Sequence, residues 1–88
     1  MAISPTNYAR MIRRAMHRVD ATQESMAVAI GSTQPHISHC LSSPHEMTAE
    51  MRQRLLVGLL VHDRLGRRPR NQAEAKKCIA GMVWDLSA

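Results

Sequence analysis

The sequence predicts an all-α domain of five helices with a helix-turn-helix at its centre. Three observations lead there. Apolar residues recur three and four apart in separate stretches along the chain, the spacing of one helical face. Before each stretch stands a residue able to cap a helix N-terminus: Ser4, Thr22, Thr33, Thr48 and Asn71. The chain also has no Phe, one Trp, one Tyr and seven Met, and lacks the β-branched and aromatic runs that build sheets. Met suits a helical core, because its flexible thioether fills irregular gaps.

The first helix starts at Ser4-Pro5, with Ser4 as cap and Pro5 where a missing N–H costs nothing. Tyr8, Met11, Ile12, Ala15, Met16 and Val19 form its apolar face, and Arg10, Arg13, Arg14 and Arg18 lie off that face. Asp20 and Ala21 make a turn. Thr22 caps a second helix to about Ile30, with Met26 and Ile30 on one stripe. Gly31 supplies the positive φ of a sharp turn. Thr33 caps a third helix from Gln34 to about Leu41, with Pro35 tolerated in its first turn. Ser42, Ser43 and Pro44 break the pattern.

Thr48 opens a long fourth helix to about Leu65, with Met51, Leu55, Leu56, Leu59, Leu60 and Val61 apolar. Gly58 inside it costs about 1 kcal/mol against Ala, so it marks a close helix crossing. Gly66 is the expected C-cap. Arg67 to Arg70 form a basic linker containing Pro69. Asn71 and Glu74 then have the spacing of a capping box for a fifth helix, with Ala75, Cys78, Ile79, Met82, Val83 and Leu86 at helical intervals. The expected organisation is a single domain. Residues 1–66 make the helix-turn-helix core, and residues 67–88 add a basic linker and a C-terminal helix that serves dimerisation.

Composition narrows the function. The net charge is +5 and the pI about 10.3, a balance that favours polyanionic partners. The charge is clustered: four arginines precede the first acidic residue, Asp20, and Arg64, Arg67, Arg68 and Arg70 form a second group. Two isolated cysteines, Cys40 and Cys78, make no disulfide framework and point to reduced thiols. The first residues lack the apolar stretch of a signal peptide, and the run from Leu55 to Val61 is too short to span a bilayer. A soluble, cytoplasmic protein without a membrane partner is expected.

Residues Thr22 to Leu41 carry the motif. Ala27 is small enough to let a second helix cross closely, Gly31 turns the chain, and Ile37 faces back into the core. That is the sequence form of a helix-turn-helix, whose second helix enters the DNA major groove. At Gln23, Ala27, Gly31 and Ile37 the chain resembles the Cro/repressor family of phage and bacterial DNA-binding proteins. The Gln-Glu-Ser run at Gln23 and the Gln-x-x-Ile-Ser pattern of Gln34, Ile37 and Ser38 add to the resemblance. Ser32, Cys40 and the stretch from Leu41 to Pro44 depart from the family pattern.

The resemblance implies a sequence-specific transcriptional regulator of a phage or prophage control region, reading a double-stranded DNA operator. It nominates Gln34, Pro35, His36, Ser38 and His39 as base-reading positions. Gln can pair bidentately with adenine, His or Ser can donate to guanine acceptors, and Pro offers only apolar surface to a thymine methyl. It also implies that Gln23 touches the DNA backbone and buttresses Gln34. Gln23 and Thr33 stand at helix N-termini, which suit phosphate, and Arg10, Arg13, Arg14 and Arg18 supply electrostatic affinity.

The apolar face of the fifth helix is wide for a solitary surface helix, and such DNA readers commonly bind as symmetric dimers. Cys78, Ile79, Met82, Val83, Trp84 and Leu86 are therefore the expected homodimer interface. Two other functions fit the same pattern: an antitoxin that reads DNA and grips a toxin with its last helix, and a protein-binding antirepressor or host-takeover factor. No enzyme, cofactor or metal is expected. His36, His39, Cys40 and His45 contain no second ligand pair at zinc-finger spacing, and Cys40 and His39, adjacent on a helix, point about 100° apart.

Overall fold

Thr22 and Ser25 show how local chemistry fixes the elements. The Thr22 hydroxyl accepts from the Ser25 N–H at 3.0 Å, and the Ser25 hydroxyl accepts from the Thr22 N–H at 2.8 Å. This reciprocal box starts the second of five helices in a computed structural model that describes residues 3–87, with side chains to residue 82. The helices are α1 (Pro5–Arg18), α2 (Gln23–Ile30), α3 (Gln34–Ser42), α4 (Ala49–Leu65) and α5 (Gln72–Ser87), with one 3₁₀ turn at Pro44–Glu46 between α3 and α4. The all-α, five-helix class expected from the sequence is the one observed.

The other caps follow the same rule. Ser4, Thr33 and Thr48 accept from the backbone N–H three residues on, at 3.2, 3.3 and 3.1 Å; such caps contribute about 1 kcal/mol each. Gly31 and Gly66 terminate α2 and α4 in the left-handed region, at φ 67° and 68°. One left-handed residue escaped the sequence: Asp20, φ 56°. Asp tolerates this conformation better than most side chains, and Arg68 secures it by donating to the Asp20 carbonyl at 2.8 Å.

α2 is the hub, packing against α3, α4 and α5. Ile12, Met26, Ile37, Leu55 and Val61 are fully buried at the centre, with Met16, Met47 and Met51 around them. Gly58 makes the α2–α4 crossing possible: a Cβ there would stand 3.0 Å from both Ile30 Cγ2 and Met26 Cε. Tyr8 ties α1 to α4 by donating to the Arg52 carbonyl at 2.7 Å, beneath the Arg52 guanidinium.

His62 is buried beside Met26's helix with both ring nitrogens engaged. Nδ1 lies 2.7 Å from the Gly58 carbonyl and Nε2 lies 2.8 Å from the Ser25 hydroxyl. Because a carbonyl only accepts, Nδ1 carries a proton, and in the neutral ring Nε2 accepts from Ser25. The pair links α4 to the N-cap of α2.

The basic linker proves to be a clamp. Arg68 binds Asp20, Pro69 is buried, and Arg67 makes two bonds of 2.7 Å to the Glu74 carboxylate. The capping box expected at the start of α5 is half realised. Asn71 accepts from the Glu74 N–H at 2.9 Å, but the Glu74 side chain turns to Arg67 and to the Arg70 N–H instead of the Asn71 N–H. A charge-assisted pair outcompetes a neutral donor.

These partners, Arg67 first and the Arg70 N–H second, pull the Glu74 pKa from 4.5 down to about 2. A depressed carboxyl stabilises the fold above its unfolded pKa and loses that contribution as pH falls through the folded one. The clamp should thus persist below pH 4.5 and release near pH 2. Carboxyl-carbon NMR titration of Glu74 checks this, and a midpoint near 4.5 would show that the clamp does not form in solution.

Among the described residues no helix is long and apolar enough to cross a membrane.

Candidate nucleic-acid interface

α2 and α3 are joined by three residues, and each junction is enforced. The Gly31 N–H donates to the Ala27 carbonyl, as does the Ser32 N–H at 2.9 Å. Arg54 reaches from α4 to donate to the Ile30 carbonyl, one of the acceptors a helix end leaves open. Ala27 and Ile37 are buried at the crossing of the two helices. With Ile37, Cys40 and Leu41 committed to the core, the opposite face of α3 faces solvent: Gln34, Pro35, His36 and His39 are exposed and Ser38 is half-buried.

Gln34 is the best-organised of these. Its Nε2 donates to Gln23 Oε1 at 2.8 Å, across the turn. One Nε2 hydrogen and the carbonyl oxygen of Gln34 remain available, which is the donor–acceptor pair that the major-groove edge of adenine requires. Gln23 accepts this bond through its oxygen and keeps its own amide N–H donors unengaged by it. The pairing that the resemblance implied between these two residues is thus present in the geometry.

The histidines differ. His36 Nε2 lies 3.8 Å from Cys40 Sγ, one turn along α3. Sequence reasoning weighed only the neighbouring His39 against Cys40 and missed this i, i+4 contact. It does not make a nucleophile: burial pushes the Cys40 thiol pKa up, whereas a reactive cysteine needs it lowered. His39 Nε2 lies 2.7 Å from Glu46 Oε2 on the 3₁₀ turn. That carboxylate holds the ring and places negative charge toward the C-terminal end of α3, away from Gln34, Pro35 and His36 at its N-terminal end.

The arginines of α1 border two surfaces, Arg13 on one, Arg14 and Arg18 on the other, and Arg10 on both. Arg13 and His17 line a shallow groove of about 230 Å³ with Gln23 and Leu41. Arg10 and Arg13 line another, of about 580 Å³, with Ser42, Ser43 and His45 at and beyond the end of α3. Arg10, Arg13 and His17 are therefore the edge of α1 that adjoins the helix-turn-helix. Arg14 and Arg18, together with Arg10, line a groove made only of α1 residues. Treating the four arginines as one set overlooked this division and omitted His17. The signal was in the sequence, since positions 10, 13 and 17 share a helix face. Thr33 is exposed, and its hydroxyl is already occupied as the α3 cap.

Cys78, Ile79 and Met82, expected at a subunit seam, are half-buried against the chain's own core, where Ala75 of the same helix is fully buried. The side chains of Val83, Trp84 and Leu86 lie outside the described residues. Among the described residues no group of three or more His, Cys, Asp or Glu is placed to hold a metal ion.

No protein-family model matches the chain, and no curated protein or solved structure is significantly similar to it.

Proposed function

We propose that this domain is a sequence-specific regulator of transcription that inserts α3 into the major groove of double-stranded DNA. The observation that carries the reading is the Gln23–Gln34 pair. It fixes an adenine-reading amide at the exposed N-terminus of a helix whose other face is buried through Ile37. Arg10, Arg13 and His17 border the same surface and suit the flanking phosphates. Two copies on half-sites about 34 Å apart would supply the base contacts that one short helix cannot.

The test is a titration of duplex DNA from upstream of the chain's own gene at two salt concentrations. Each phosphate neutralised releases condensed counterions, so affinity should fall steeply with salt, by a slope of roughly −0.9 per contact on logarithmic axes. A flat salt response, or no binding at low salt, sinks the reading in favour of a protein partner.

A further inference from the structure

The outer face of α1 carries charge of one sign, and the DNA reading leaves most of it without a use. Arg10, Arg14 and Arg18 stand four residues apart, so they form one row along the helix. All three are exposed, and among the described residues no carboxylate or carbonyl holds their guanidinium groups. The helix itself offers none, because residues 5–18 contain no Asp or Glu. The next acid along the chain, Asp20, binds Arg68 instead. Like charges four apart destabilise a helix, and a row of carboxylates opposite them would reverse the sign of that effect.

A duplex on the helix-turn-helix does not answer this charge. Arg13 faces that side, beside Gln23 and Leu41. At about 100° per residue, Arg18 lies about 140° around α1 from Arg13, and Met11 about 160°. DNA held against Arg13 is therefore on the far side of the helix from Arg18 and Met11, with Arg10 at the boundary. The row lines its own furrow of about 360 Å³, shared with Asn7, Met11 and Ala15.

The furrow's composition indicates what fits. Met11 is 43% exposed beside the arginines, an apolar surface that a phosphate does not use. A lipid surface needs a wide apolar face, which one Met does not make. A second helix with carboxylates four residues apart matches the row, since both helices rise about 6 Å over that interval. Each Arg can take a carboxylate in bidentate geometry, and an apolar side chain next to the carboxylates covers Met11.

We propose that the outer face of α1 docks an acidic helix of a partner protein, its carboxylates paired with Arg10, Arg14 and Arg18 while the domain is on DNA. The proposal rests on the DNA reading for which side of α1 stays clear.

The probe is a labelled synthetic helix with Glu at three positions four apart and Leu beside the middle one, titrated with the full chain by fluorescence anisotropy. It should bind at least about tenfold more tightly than the same helix with Gln at those positions. Arg14→Glu with Arg18→Glu should lose about tenfold or more of that affinity, and a helix with Lys in place of Glu should bind the double variant instead. Lys76→Glu with Lys77→Glu makes the same change of net charge on α5, which does not touch α1, and should leave the Glu helix bound. In the wild type the methyl NMR signal of Met11 should shift on binding, a reading that holds even if a variant fails to fold. No binding of the Glu helix, equal binding of the Gln helix, equal losses from the α1 and α5 reversals, or a Met11 signal that stays in place each overturns the proposal. Duplex DNA is titrated with the same samples. If the α1 reversal weakens duplex binding as much as Arg13→Glu does, the row meets DNA and the proposal also fails. A chain that binds the Glu helix but no duplex defeats the DNA reading alone, and one that binds duplex but not the helix defeats the docking face alone.

Discussion

His62→Ala is expected to destabilise the domain by about 3 kcal/mol, the range for emptying the space of a buried ring. His62 is 1% exposed and sits among the fully buried side chains that hold α4 against α2. Its loss removes that volume and both ring hydrogen bonds, including the one to Ser25. The Ser25 hydroxyl can turn to the Thr22 carbonyl, 3.1 Å away, so little of the cost comes from an orphaned group and most comes from the cavity. A domain of this size is stabilised by only roughly 0.05–0.15 kcal/mol per residue, so a quarter or more of the total is at stake. The midpoint of thermal unfolding should fall by roughly 12–24 °C at about 4–8 °C per kcal/mol. Thermal melts followed by circular dichroism decide it. A shift below about 4 °C would mean that the ring does not bridge the two helices in solution.

His62 also shows why the fold was readable before the network within it. The caps at Ser4, Thr22, Thr33 and Thr48 and the stops at Gly31 and Gly66 act within one turn of chain, so spacing reveals them. Gly58 was legible for a related reason: a glycine in a helix interior demands an explanation, and the α2–α4 crossing supplies it. The Ser25–His62 bond joins residues 37 apart, and Arg68–Asp20 joins residues 48 apart. No local pattern encodes such pairs. Within the candidate site the same division holds. The exposed face of α3 follows from helical periodicity once Ile37 is assigned to the core. The grip of Glu46 on His39 depends on the 3₁₀ turn at Pro44–Glu46, where the sequence showed only a break. The stripe of the fifth helix was read from spacing alone, which does not show how much of it the core beside α2 and α4 takes up. Ala75 is buried in that core, and Cys78, Ile79 and Met82 pack against it half-buried.

On a cognate DNA site, Gln34→Ala should cost roughly 1–3 kcal/mol, the value of one good base contact, while leaving affinity for unrelated duplexes nearly unchanged. The amide of Gln34 is held by Gln23 at 2.8 Å before any DNA arrives, so binding does not have to order it. Gln23→Ala should therefore reproduce part of the same loss of specificity without touching a base, and it should also weaken binding to any sequence if Gln23 meets a phosphate. His36→Ala should cost specificity too, whereas His39→Ala should cost less, because Glu46 holds that ring. Arginines on α1 should separate by position. Arg13→Ala should weaken cognate and unrelated DNA alike and lower the salt slope by about one contact. Arg18→Ala, on the groove that no other helix lines, should do so to a lesser degree. Competition titrations with cognate and scrambled duplexes measure all six variants on one scale. If Gln34→Ala and His36→Ala both leave the cognate-to-scrambled ratio intact, α3 does not read bases. Equal losses from Arg13→Ala and Arg18→Ala would instead show that the DNA backbone does not follow the edge of α1 beside Gln23.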